Sequence, residues 1–192
     1  MDRVLILDFG SQVTQLIARR IRQQGVYCEI HPYNKSKEKI RDFSPKAIIL
    51  SGGPASTTIK KPLMPDKSIY SLNVPILGIC YGHQLICKYF GGKVINSKKR
   101  EFGKAFIKIK KKSKIFQGIY KNNKDYQVWM SHGDKVNKLP KNFKIIASTT
   151  NAKFAVIANE EKKIYGLQFH PEVIHTLNGK EILRNFIKKI SL

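Results

Sequence analysis

Apolar positions in this chain follow two rhythms, and the change from one to the other divides the sequence. Val4-Leu5-Ile6-Leu7 is a short continuous run ended by Asp8-Phe9-Gly10-Ser11, which predicts a buried strand followed by a helix start. Over residues 12–23, Val13, Leu16, Ile17 and Ile21 recur at helical spacing, Arg19, Arg20 and Arg22 take the other face, and Gly25 closes the segment. Residues 26–30 alternate as a second strand, and residues 38–43 predict a short helix broken at Pro45. Ala47-Ile48-Ile49-Leu50 is a third buried strand that stops at Ser51-Gly52-Gly53-Pro54. Strand, helix, strand, helix, strand predicts a parallel sheet. Residues 57–72, with Pro62 and Pro65 and little periodicity, read as a surface connection carrying one short helix.

The next run, Pro75-Ile76-Leu77-Gly78-Ile79, leads into Cys80-Tyr81-Gly82-His83-Gln84 and then helix-compatible residues to Tyr89. Gly78 and Gly82 flank Cys80 symmetrically, so the backbone can turn sharply from strand to helix and lift the sulfur clear of the sheet. That is a nucleophile elbow written with Cys; the structural alternative is a buried thiol after a core strand. After Gly91-Gly92 the rhythm shortens to a period of two. Residues 93–95, 105–109, 127–130, 144–147 and 154–158 predict antiparallel additions to the sheet. Residues 164–169 form a last strand ending at His170-Pro171-Glu172, and residues 181–190 a closing helix with Ile182, Leu183, Phe186, Ile187 and Ile190 inward. The expected fold is α/β, an open and mostly parallel sheet flanked by helices with an added antiparallel strand region, in one domain over residues 1–192.

Composition narrows the class further. A length of 192 residues with 42% hydrophobic content suits one substantial core. No apolar run approaches the roughly 20 residues of a membrane span, and Met1-Asp2-Arg3 leads straight into the first strand with no room for a signal peptide. Cys28, Cys80 and Cys87 are odd in number and lack metal-ligand spacing, so free thiols in a reducing, cytoplasmic compartment are expected and no metal is. The formal net charge of +23 raises nucleic acid as a partner. The excess is mostly Lys spread along the chain, and its densest cluster, residues 108–114, has neither Arg nor the aromatics that base stacking uses. A solvated basic face is the preferred reading, with a basic nucleic-acid-binding module as the alternative from another functional class.

A Cys nucleophile needs a base and a group to orient that base. His170-x-Glu172 at a strand end supplies both, because Pro171 holds the backbone before it extended, and side chains two apart then project to one side. Gly52 and Gly53, also at a strand end, can bring a backbone amide against a substrate oxygen.

Gly-Ile-Cys-Tyr-Gly-His-Gln at 78–84, Ser-Gly-Gly-Pro at 51–54 and Gln-Phe-His-Pro-Glu at 168–172 together resemble the class I glutamine amidotransferases. Within that family, residues 8–12, Arg100-Glu101-Phe102-Gly103, residues 128–134 and residues 172–176 look like the glutaminase domains of GMP synthases. The resemblance implies Cys80 as nucleophile, His170 as base and acid, and Glu172 as its orienter. It implies the amides of Gly53 and Tyr81 as oxyanion donors, and Gly52, Gln84, Ser131, His132, Gly133 and Asp134 as the glutamine-binding set. His83, His132 and His175 are given no catalytic role. Glutamine is the implied substrate, with no cofactor in this domain; ATP and magnesium belong to a synthetase (ATP pyrophosphatase) domain or subunit that would be the partner. No Ser-Gly-Gly-Val-Asp-Ser-like phosphate loop occurs here, so a fragment of a fused enzyme, or else a separate subunit, is expected. The same triad would serve a glutaminase subunit for another acceptor, such as chorismate or a carbamoyl phosphate precursor.

Overall fold

Strands that read as continuous apolar runs lie side by side in one nine-stranded sheet, and their edge carries the chemistry. The computed structural model describes residues 3–121 and 124–191, so expectations placed on Met1, Asp2 and Leu192 fall outside it. The strands are β1 (Arg3–Asp8), β2 (Tyr27–Pro32), β3 (Ala47–Leu50), β4 (Ile76–Ile79), β5 (Lys93–Ile109), β6 (Asp125–Lys138), β7 (Lys144–Ser148), β8 (Val156–Asn159) and β9 (Ile164–Leu167). Their order across the sheet is β2-β1-β3-β4-β9-β8-β7-β5-β6. The first five of that order pair in parallel and the rest antiparallel. Helices α1 (Thr14–Arg22), α2 (Lys37–Phe43), α3 (Tyr81–Tyr89) and α4 (Gly179–Arg184) supply the flanking layers.

Both faces of the central strands are buried, which is why these strands are apolar throughout rather than alternating. Val4 and Ile6 pack with Ile17 and Ile21 of α1 in one core, whereas Leu5 and Leu7 pack with Leu85 and Ile86 of α3 in the other. The sheet order sets β3, β4 and β9 next to one another in parallel, so their carboxyl ends, residues 51–53, Cys80 and residues 168–172, converge.

The turn from β4 into α3 works only with glycine. A Cβ on Gly78 would stand 2.5 Å from the carbonyl carbon and oxygen of Gly82, and one on Gly82 would stand 2.4 Å from the Leu50 carbonyl oxygen. Gly78→Ala is therefore expected to destabilise the chain by at least about 1–3 kcal/mol, since backbone and not a flexible side chain must yield. Chemical denaturation checks this; an unchanged midpoint would show that the elbow can relax.

Several features differ from the sequence expectations. Residues 93–95 and 105–109 belong to one long strand, β5, whose pairing with β6 shifts register between Asn96 and Glu101; the polar run Ser97-Lys98-Lys99-Arg100 at that irregularity breaks the alternation. Residues 131–134, beyond the strand expected over 127–130, lie within β6. The 57–72 connection is not wholly superficial. Thr57 and Ile69 are fully buried, because this segment folds over α3, where Lys88 Nζ donates to the Thr57 carbonyl. The closing helix is shorter than expected as an α-helix and continues as a π-helical segment, Asn185–Ser191, with Phe186, Ile187 and Ile190 still buried. The Lys108–Lys114 cluster sits where β5 ends: Lys108, Lys110, Lys111 and Lys112 are exposed while Ile107 and Ile109 point inward, the alternation of a solvated strand face.

Candidate active site

Cys80 occupies the N-cap of α3 with φ 52° and ψ −102°, a conformation that L-residues rarely adopt and that costs about 1–3 kcal/mol. Neighbours hold it there. The Cys80 amide donates to the Leu167 carbonyl of β9 at 2.7 Å, and the Gly82 amide donates to the Ser51 carbonyl of the glycine loop at 3.1 Å. The sulfur lies 3.3 Å from the Ser131 carbonyl oxygen and 3.7 Å from Nε2 of Gln168.

His170 and Glu172 follow β9 and reach the same point. His170 Nδ1 donates to Glu172 Oε1 at 2.7 Å, and Glu172 is fully buried. The second Glu172 oxygen, also buried, has no hydrogen-bond partner among the described residues, so the carboxylate's charge rests largely on the imidazole. Burial disfavours the imidazolium, but the Glu172 carboxylate and a hydrogen bond with Cys80 outweigh it and raise the His170 pKa to about 10. Thr176 fixes the His170 backbone: its hydroxyl donates to the His170 carbonyl at 2.6 Å and accepts from the Trp129 amide at 3.0 Å.

Gly52 lies directly against the pair. A Cβ there would meet His170 Cε1 at 2.9 Å and Cys80 Cβ at 3.5 Å, so the absent side chain is the space that the imidazole uses. The Ser51 hydroxyl donates to the Gly52 carbonyl at 2.7 Å, and in a trans peptide this turns the Gly53 N–H the opposite way.

Two cavities of about 420 Å³ each meet at the sulfur. One is lined by Gly53, Tyr81, Gln84, Arg100, Ser131 and Asp134 among others, the other by Gln12, Trp129, His170 and Val173; Gly53, Pro54, Cys80 and Ser131 line both. All residues expected around glutamine except Gly52 thus line the first cavity, but three of them direct side-chain groups into the protein. Gln84 donates to the Asp134 carbonyl at 3.0 Å and accepts from Thr57 Oγ1 at 3.1 Å. The Asp134 carboxylate accepts from Ser56 Oγ, the Thr57 amide and Asn96 Nδ2. His132 is 4% exposed with both ring nitrogens engaged. These side chains tie the cavity wall together. Sequence reasoning did not single out Thr57, Gln168 or Thr176 as individual contributors; the last two lie inside recognised motifs, whereas Thr57 carries no signal at all. Among the described residues no group of three or more His, Cys, Asp or Glu side chains could hold a metal ion, and no helix is long and apolar enough to cross a membrane.

A strained Cys at a strand–helix elbow beside a buried His–Glu pair has the parts that thiol-based nucleophilic chemistry needs, and comparison with known proteins places the chain in a family. The family model for Glutamine amidotransferase class-I matches residues 5–190, and the chain belongs to that family. It is 49% identical over 190 residues to a GMP synthase [glutamine-hydrolyzing] of Bartonella henselae and 52% identical over 189 residues to one of Agrobacterium fabrum. These alignments take in 99% and 98% of this chain but only 37% and 36% of the relatives' length. Among solved structures, a candidate GMP synthase subunit from Thermoplasma acidophilum superposes with a TM-score of 0.88 at 34% identity, covering 100% of this chain and 94% of that one. A glutamine amidotransferase of Thermotoga maritima, 19% identical, shares the fold at a TM-score of 0.78 over 99% of this chain and 98% of that one.

Proposed function

We propose that this chain is the glutaminase component of a GMP synthase, hydrolysing glutamine to supply ammonia for the amination of XMP to GMP. The reading is carried by Cys80 and His170 lining one cavity, with Glu172 buried behind the imidazole, in a chain about half identical to GMP synthases. Cys80 Sγ attacks the side-chain carbonyl carbon of glutamine while the amides of Gly53 and Tyr81 receive the oxyanion; Tyr81 opens α3, where backbone donors are unpaired. His170 gives its proton to the departing nitrogen, the carbon–nitrogen bond breaks, and ammonia and a γ-glutamyl thioester result. Acylation removes the sulfur's charge and with it part of what held the His170 proton, so the ring, now neutral, accepts a proton from the water that cleaves the thioester. Glutamate leaves and the free Cys80 returns.

Residues 1–192 would form the amidotransferase domain alone, with the synthetase on another domain or subunit that uses ATP and magnesium. The unpaired cysteines suit the cytoplasm, where thiols stay reduced. A docking face for the synthetase surrounds the cavities: Phe102 is 66% and Ile174 76% exposed, Arg100 lies against Gly133, and the His175 ring lies tilted against Trp129 with centroids 4.5 Å apart. The Ser51 hydroxyl, holding the peptide between Gly52 and Gly53, gives that partner a lever on the oxyanion donor. The chain alone is expected to hydrolyse glutamine slowly, and a GMP synthase synthetase domain with XMP, ATP and magnesium should accelerate it. Release of glutamate in the coupled and uncoupled assays measures this. Full activity without the acceptor would remove the coupling, and no hydrolysis under either condition would remove the reading.

A further inference from the structure

Two buried polar residues beside the glutamine cavity take no part in the chemistry above. Glu101 of β5 and His132 of β6 stand directly opposite each other across the strand pair, 9% and 4% exposed. His132 Nε2 lies 3.0 Å from Glu101 Oε2, and its Nδ1 lies 2.8 Å from the Asp134 carbonyl oxygen. Both partners are acceptors. A neutral imidazole has one N–H and one bare nitrogen, so in that form a lone pair would face a lone pair inside the protein. Only a ring protonated on both nitrogens satisfies both contacts, unless Glu101 itself is protonated. Its surroundings oppose that: Thr149 Oγ1, which accepts the Ala152 amide, has its own proton free for the Glu101 oxygens at 3.2 or 3.4 Å, and a donor there favours the carboxylate.

The other groups around the ring fit a cation. His83 of α3 is fully buried and kept neutral, its pKa pushed down to about 3 chiefly by burial, so it adds no second cation there. The Asp134 carboxylate is taken up by Ser56, Thr57 and Asn96 and does not compete for the ring. Thr149 Oγ1 stands 3.2 and 3.4 Å from the two Glu101 oxygens and accepts the Ala152 amide at 2.9 Å. A continuous chain of contacts therefore runs from the β7–β8 connection through Glu101 and His132 to the Asp134 carbonyl, which also accepts from Gln84 on the elbow helix.

We propose that His132 is a doubly protonated positioning residue, clamped between Glu101 and the Asp134 carbonyl, that holds residues 131–133 as the glutamine-binding wall beside Cys80. The proposal rests on the glutaminase reading for its substrate but not for its protonation state. The Ser131 carbonyl reaches the sulfur and Gly133 backs on Arg100, so a shift of this segment moves both ends of the cavity. His132→Gln cannot donate along both directions, because its amide presents an oxygen at one end. Glu101→Gln can, because its NH₂ gives a donor to a neutral His132.

The test has two arms on the intact chain. A long-range ¹H–¹⁵N spectrum of the wild type at about pH 8, well above an ordinary His pKa, should show both His132 nitrogens protonated; one bare nitrogen overturns the proposal whether or not the chain is a glutaminase. In kinetics, His132→Gln should raise KM for glutamine by about tenfold or more with a much smaller change in kcat, whereas Glu101→Gln should stay within about threefold of wild type. Iodoacetamide should still alkylate Cys80 in both variants, which shows that the elbow is intact; loss of labelling in His132→Gln would overturn a role confined to positioning the wall. An unchanged KM in a folded His132→Gln chain would overturn the proposal, as would a Glu101→Gln chain as impaired as His132→Gln. Should His132→Gln fail to fold, the spectrum and Glu101→Gln still decide. A wild type that hydrolyses no glutamine would instead sink the functional reading and leave the spectrum to be judged.

Discussion

Replacing Cys80 with Ala is expected to abolish glutamine hydrolysis and covalent labelling by a glutamine-like chloroketone while leaving the fold intact. The side chain is small and its backbone is held independently of the sulfur, through the Leu167 carbonyl and the packing of Gly78 on Gly82, so Ala can occupy the elbow. The two other thiols offer no substitute. Cys87 is fully buried, and burial pushes its pKa up to about 12 against a weaker opposing contact with the Lys93 carbonyl. Cys28 lies in β2 against the Ala18 carbonyl, and its thiol is likewise pushed up by burial. Neither offers a thiolate for attack at neutral pH. Mass spectrometry after chloroketone treatment should find one adduct, on Cys80, in the wild type and none in the variant. Labelling of Cys28 or Cys87 in Cys80→Ala would overturn the assignment of the nucleophile.

How much of this was legible in the sequence depends on what each residue was selected to do. Strands β1, β3 and β4 show plainly because burial on both faces demands uninterrupted apolar residues, and the elbow shows because only glycine lets α3 close on β4 and β3. The ribbon of β5 and β6 was only partly legible. Ser97-Lys98-Lys99-Arg100 and Ser131-His132-Gly133-Asp134 are polar where a strand should alternate, the second because it lines the cavity, and a polar stretch in a one-dimensional pattern reads as a loop. The motifs also assigned Gln84, His132 and Asp134 to glutamine without revealing that the Gln84 and His132 side chains meet the Asp134 carbonyl, or that those of Gln84 and Asp134 accept from Thr57, 27 residues before Gln84. Contacts at such separations leave no local periodicity. Thr57 shows the limit most clearly, since a fully buried hydroxyl in a proline-containing connection has no signature before the fold closes over it.

His170→Ala is expected to lower turnover by several orders of magnitude, because it removes both the proton that the departing nitrogen needs and the base that activates water. Retention of more than about a tenth of the rate, a loss below about 1.4 kcal/mol, would make the assigned role untenable. Glu172→Gln should cost less, and its effect has a sign that distinguishes orientation from electrostatics. In the wild type the His170 proton is held up to about pH 10, since the Glu172 carboxylate and Cys80 together outweigh burial. The rate should therefore fall on the alkaline side only as pH rises through that value. Gln at 172 still accepts the Nδ1–H and preserves the ring's orientation, but its charge is gone while the burial remains. The His170 pKa then drops, and the alkaline limb of kcat/KM should move to lower pH. A Glu172→Gln variant slowed at every pH with its alkaline limb unmoved would show that Glu172 only orients the ring and that its charge does not hold the catalytic proton.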